Sequence, residues 1–228
     1  MAQKHGMNCR RLTWNPNYKG FDDWQLALRQ GSQRQKEIEK LSFKEQYLRG
    51  LCELAHIEDC VEQWQHRAEQ DIGLTEYLGL TGEEHKTFLC GGRDALAALL
   101  EPQRRKQRFV LYQLQLDEEN AIPFAFKELA ALQKAGYEQP PAAMYRMAGS
   151  GEVYCPVEQS DAEILKRLFA DCREELPEGC HGRPMALSDV VELDHSPRRI
   201  YYYVNGEHEF PQVKFSPMLA KKDIKEGT

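Results

Sequence analysis

The apolar residues of this 228-residue chain change period near residue 106, and that change sets the broadest division of its fold. Before it, Ile38, Leu41, Leu48, Leu51 and Leu54 recur at helical spacings among charged residues, the pattern of helices that bury one stripe. After it, Phe109, Leu111, Leu114 and Leu116 read as a strand. Strand-like stretches recur at Leu187–Leu193, Arg199–Val204 and Phe210–Phe215, the last two separated by Asn205-Gly206, a hairpin signal. The expected fold class is α+β: an N-terminal all-helical module followed by a small α+β module with a mostly antiparallel sheet.

Local signals set the expected boundaries. Residues 1–31 show little periodicity and read as an arm anchored by Trp14, Tyr18, Phe21 and Trp24; residues 32–102 form the helical module. Capping boxes are expected at Ser42 with Glu45, Thr81 with Glu84 and Ser160 with Glu163. Helices are expected over Ile57–Glu69, Leu74–Leu78 and Gly82–Leu89, the last stopped by Gly91-Gly92 and followed by an apolar turn or two over Asp94–Leu100. Residues 103–108 carry Arg104, Arg105, Lys106 and Arg108 and read as a basic linker. In the second module, 109–215, a helix is expected over Phe124–Ala135, ended by Gly136, and another after Ser160 that buries Ile164, Leu165, Leu168 and Phe169. Gly149-Ser150-Gly151 reads as a hairpin or loop between two strands, and 216–228 as a polar tail.

Charge narrows the partners. The net charge is -6, and residues 53–101 hold 11 acidic against 3 basic side chains, a balance of -8. Bulk charge therefore disfavours nucleic acid in either half. Seven cysteines at 9, 52, 60, 90, 155, 172 and 180 include no close pair, so free thiols in a reducing cytoplasm are expected rather than a disulfide framework. No apolar run approaches the ~20 residues that cross a bilayer, and the opening residues lack a secretory pattern.

The chemical motifs are sparse. LTEYLGLTGEEHKTFLC, Leu74–Cys90, has the layout of a DNA-reading helix-turn-helix, but Glu83 and Glu84 stand where phosphate and base edges would be met. Zinc needs four converging ligands in close pairs, and Cys172, Cys180, His181, His195 and His208 do not supply that spacing, so no metal and no cofactor are expected. Ser188, Asp189, Asp194, His195 and Cys155 provide nucleophile and base types without a shared position, Ser188 and Asp189 falling on opposite faces of an alternating strand. No phosphate-cradling glycine loop is present. The expectation is a protein that is not an enzyme.

The string Leu176-Pro177-Glu178-Gly179-Cys180-His181-Gly182, then Leu187-Ser188-Asp189-Val190-Val191-Glu192-Leu193 and Tyr201-Tyr202-Tyr203-Val204, resembles the YodL-like domain family over about residues 109–215. The chain departs from that pattern at Arg183–Ala186 and Asn205–Phe210. The resemblance implies a setting in mobile elements and phage-like islands of Firmicutes, and brings no catalytic residues. With the acidic stretch, it leads to the expectation of a non-enzymatic binding protein that inhibits a host protein machine, of the anti-defence kind aimed at a CRISPR or restriction complex. Glu58, Asp59, Glu62, Glu69, Asp71, Glu76, Glu83 and Glu84 would meet a basic groove on that partner. The alternative is a DNA-processing accessory factor of conjugative transfer that binds nucleic acid through Arg104, Arg105, Lys106 and Arg108 and the helical corner.

Overall fold

Ser42 starts the helical layer as a capping box: its hydroxyl accepts from the Glu45 amide and the Glu45 carboxylate accepts from the Ser42 amide, opening α1, Phe43–Leu48. The computed structural model describes residues 36, 38–67, 72–177 and 179–221, and the chain divides into two compact units, Met1–Leu41 and Ser42–Thr228. The expected aromatic arm lies outside the described residues. Helices α2, His56–Gln65, and α3, Leu74–Leu78, follow. Gly79 then turns the chain at φ 71°, where any side chain would collide with Ser42 Oγ, so the turn and the cap of α1 need glycine together. A second capping box, Thr81 with Glu84, opens α4, Gly82–Leu100, which kinks at Gly92, φ 70°. The expected stop at the glycine pair is thus a bend between two stretches of one element. Phe43, Tyr47, Leu48, Ile57, Leu78, Leu96 and Leu100 form the core of this layer.

The stretch read as a basic linker is strand. β1 runs over Arg104–Leu114, five residues earlier than its apolar pattern begins, because Arg104 to Arg108 pair in register with Pro156 to Glu152 of β2, Tyr145–Pro156. No loop separates helices from sheet; a 3-10 turn, Glu101–Gln103, leads straight from α4 into β1, and both layers lie in the same compact unit.

A five-stranded antiparallel sheet in the order β2-β1-β3-β4-β5 is completed by β3, Val190–His195, β4, Arg198–Tyr203, and β5, Gln212–Val213. On one face Phe109, Leu111, Val191 and Leu193 pack with Ile164, Leu165, Leu168 and Phe169 of α6, Asp161–Cys172, which the third capping box starts. On the other, Tyr112, Tyr145, Val190, Tyr203 and Val213 pack with Leu132 of α5, Leu129–Lys134, and with Phe215.

Two departures from expectation have identifiable causes. Gly149-Ser150-Gly151 lies inside continuous β2: a Cβ on Gly151 would sit 2.8 Å from the Phe109 ring, and one on Gly149 2.6 Å from Cys180 Cα. Those glycines admit close neighbours rather than a turn. The helix expected over Phe124–Ala135 shrinks to α5 because Ala125 is extended and Phe126 sits at φ 57°, so Ile122–Phe124 is only a 3-10 turn.

Candidate functional site

The acidic residues of the helical layer divide by exposure. Glu58 and Asp59, with side chains 63% and 67% exposed, and Glu62 one turn on lie on the solvent side of α2, while Ile57 and Cys60 face the core. Glu58 pairs with Arg93 at 3.3 Å and Asp59 with His56 at 3.2 Å. Glu76 of α3 and Glu83 of α4 are exposed as well. Glu69 and Asp71 lie outside the described residues.

Glu84 does not belong to that surface, contrary to the sequence expectation. It is 5% exposed, accepts from Lys44 Nζ and Gln103 Nε2 at 2.7 Å each, and caps α4 through the Thr81 amide at 2.8 Å. Burial alone would push its carboxyl up, yet these donors together hold it below its ordinary value. The sequence signal for this role was the capping box, where a glutamate at the third helical position turns back on the chain.

The basic run is likewise absorbed by the fold at its start. Arg104 lies between two tyrosine rings, 4.2 Å from Tyr47 and 4.6 Å from Tyr154, donates to Glu101 at 2.6 Å and to the Tyr47 carbonyl at 3.3 Å. Arg105 turns to Gln107 Oε1 at 2.6 Å. Only Lys106 and Arg108 are exposed, and both approach Glu152, at 3.4 and 3.6 Å. Four free cations on a linker become two, set beside a carboxylate.

The region around Ser188-Asp189 holds the densest polar network. β3 begins only at Val190, and Ser188 sits at φ 74°, so strand alternation does not separate the two side chains as expected. Asp189 is fully buried and accepts from Arg183 at 2.5 and 3.1 Å, Gln113 Nε2 at 3.2 Å and the Ala186 amide at 2.9 Å. Ser188 Oγ accepts from the Phe126 amide at 3.1 Å, and its carbonyl from Tyr145 OH at 3.0 Å. These bonds fix the loops at one end of the sheet. No nucleophile stands beside a base here.

Burial pushes the Asp189 carboxyl up to about 6, with Arg183 and the amide donors limiting the rise. Its folded value exceeds its unfolded one, so its contribution to stability is complete below the unfolded pKa of ~3.9 and is lost as pH rises through about 6. Carbon-detected NMR of the carboxyl should show a midpoint near 6. Asp189→Asn should also remove this component from the pH dependence of urea denaturation; an Asp189 midpoint below 4.5 would refute the assignment.

Elsewhere, Asp161 Oδ2 accepts from Tyr202 OH at 2.6 Å and meets His195 Nε2 at 2.9 Å, tying the start of α6 to the β3–β4 hairpin. Glu192, 2% exposed, accepts from Tyr112 OH at 2.9 Å and lies 3.4 Å from Arg199. The six described thiols are free, and burial pushes those of Cys52, to about 11, and of Cys60, Cys155 and Cys180 away from the nucleophilic thiolate. Among the described residues no cluster of His, Cys, Asp or Glu is placed to hold a metal ion, and no helix is long and apolar enough to cross a membrane.

The polar network, the two core layers and all five strands fall almost wholly within one stretch, and residues 108–215 match the model of the YodL-like domain. Residues 108–215 are a YodL-like domain. No curated protein and no solved structure matches the chain. Within the YodL-like domain, Ser188-Asp189 is the anchor just described and Val190-Val191 supplies one buried side chain to each face of the sheet. Its departures from the family pattern are also structural: Arg183 neutralises Asp189, Met185 is 2% exposed in the core, Asn205 Oδ1 accepts from the Leu129 amide at 2.7 Å, and Phe210 packs on Phe169. The YodL-like domain begins inside β1, so four residues of that strand precede it.

Proposed function

We propose that the chain is a non-enzymatic binding protein of a mobile genetic element or phage that occludes a basic groove on a host nucleic-acid machine, of the CRISPR or restriction kind, in the cytoplasm. The observation that carries this reading is the outer side of α2, where Glu58, Asp59 and Glu62 face solvent within one and a half turns, with exposed Glu76 and Glu83 on the neighbouring helices. Carboxylates so placed are cheap to desolvate against arginines and lysines, and their field speeds encounter with a cationic surface. The YodL-like domain supports the mobile-element setting. Direct nucleic-acid contact through Arg104 to Arg108 is disfavoured by the burial of Arg104 between Tyr47 and Tyr154 and by the carboxylate of Glu152 beside the other two cations.

The test compares the chain with the triple variant Glu58→Lys, Asp59→Lys, Glu62→Lys in capture from a bacterial host lysate followed by a salt gradient. The native chain should retain a stoichiometric protein partner that elutes early in salt, and the variant should lose it, with affinity down by roughly 100-fold. Equal retention by both proteins would sink the reading.

A further inference from the structure

Phe126 is held in a backbone conformation that folding stability does not explain. Its φ is 57°, in the left-handed region where a bulky side chain is strained. Core packing does not offset that strain, because the residue is 52% exposed. A glycine or asparagine would adopt the same φ at lower cost and forfeit little burial. Instead the surroundings keep the phenylalanine in place: its amide donates to Ser188 Oγ at 3.1 Å, and its ring lies 4.9 Å from the Arg183 guanidinium, itself clamped by Asp189. Ser188 carries the second positive φ among the described non-glycine residues, so the strain is concentrated at this one contact.

The loop that displays Phe126 has a consistent surface chemistry. Leu116 and Ile122 are 41% and 53% exposed. Asp117, Glu119 and Glu128 are exposed between and beside them. The turns from Gln115 to Phe124 are closed by backbone hydrogen bonds, and the Leu129 amide just beyond is tied to Asn205 Oδ1. A loop fixed at both ends that keeps three large apolar side chains half in water, interleaved with carboxylates, complements a segment carrying apolar residues among lysines and arginines.

We propose that the 116–128 loop is a docking surface for a basic amphipathic peptide segment of a partner protein, with Phe126 as its anchor. The site stands on a different element from the acidic face of α2 and does not rest on that face's role. Binding places the partner's apolar side chains on Leu116, Ile122 and Phe126 and its cations against Asp117, Glu119 and Glu128.

The experiment titrates the full chain into a fluorescein-labelled amphipathic Leu/Lys helical peptide, with a Leu/Glu peptide of the same pattern as control, and follows anisotropy. The expected result is saturable binding of the Leu/Lys peptide alone, weakened by roughly tenfold or more in Phe126→Asn and in Ile122→Asn. Thermal midpoints should be unchanged or higher in Phe126→Asn, since strain is released. The Glu58→Lys, Asp59→Lys, Glu62→Lys variant should still bind the peptide, which separates this site from the helical one. Undiminished affinity in Phe126→Asn, equal binding of the Leu/Glu peptide, or a lowered thermal midpoint in Phe126→Asn would overturn the proposal. A native dimer, seen by sedimentation and dissolved by Phe126→Asn, would overturn it in favour of self-association.

Discussion

Asp189→Ala at pH 7 is expected to lower the free energy of unfolding by about 3–5 kcal/mol, the cost of leaving a largely buried cation without its counter-charge. The carboxylate has no exposed surface and receives four donors, two of them from Arg183, whose side chain is only 19% exposed. Removing it strands the guanidinium and frees Gln113 and the Ala186 amide inside the fold. Arg183→Ala should also be destabilising, and the double variant should lose clearly less than the two single losses added together, because the second change removes the charge that the first left unpaired. Urea denaturation of the four proteins checks this. Strict additivity would mean that the two residues contribute separately and that the network is not a unit.

Arg104→Ala is expected to cost about 2–3 kcal/mol, from two ring contacts of ~0.5–2 kcal/mol each and a bidentate pair to Glu101. The arginine joins the helical layer, through Tyr47 and Glu101, to the sheet, through Tyr154. Arg108→Ala serves as the control: at 70% side-chain exposure and 3.6 Å from Glu152 it should change stability by less than ~0.5 kcal/mol. Near-equal denaturation midpoints for the two variants would show that residue 104 behaves as a solvated cation and that the layers do not depend on it.

Much of the architecture was readable from local rules. The three capping boxes, the left-handed turn at Gly79, the kink at Gly92 and the alternation of β1 and β4 each depend on residues within four positions of one another, where side-chain geometry and backbone sterics act without help from distant parts. The α+β division followed from the same periodicities. Long-range pairing is where that reading failed. Arg104 to Arg108 look like a linker because nothing within ten residues supplies their partners; those partners are β2, some fifty residues on, and two tyrosines from different layers.

The candidate sites divide along the same line. Glu58, Asp59 and Glu62 were placed on one exposed stretch by helical spacing alone, as the structure shows, whereas Glu84 was removed from the acidic surface by Lys44 and Gln103, forty and nineteen residues away. The strained Phe126–Ser188 contact had no sequence signal, since the propensity of phenylalanine is for strand or core and its left-handed φ is imposed by a hydrogen bond spanning sixty-two residues. By itself the sequence determined which segments are helix or strand, where helices begin, and that one helix carries an outward row of carboxylates, because those properties are set by neighbours along the chain. Only the tertiary structure decided which charges are neutralised, which glycines admit a packed neighbour and which aromatic is held out to solvent, because each depends on groups that folding brings together and that the chain order keeps apart.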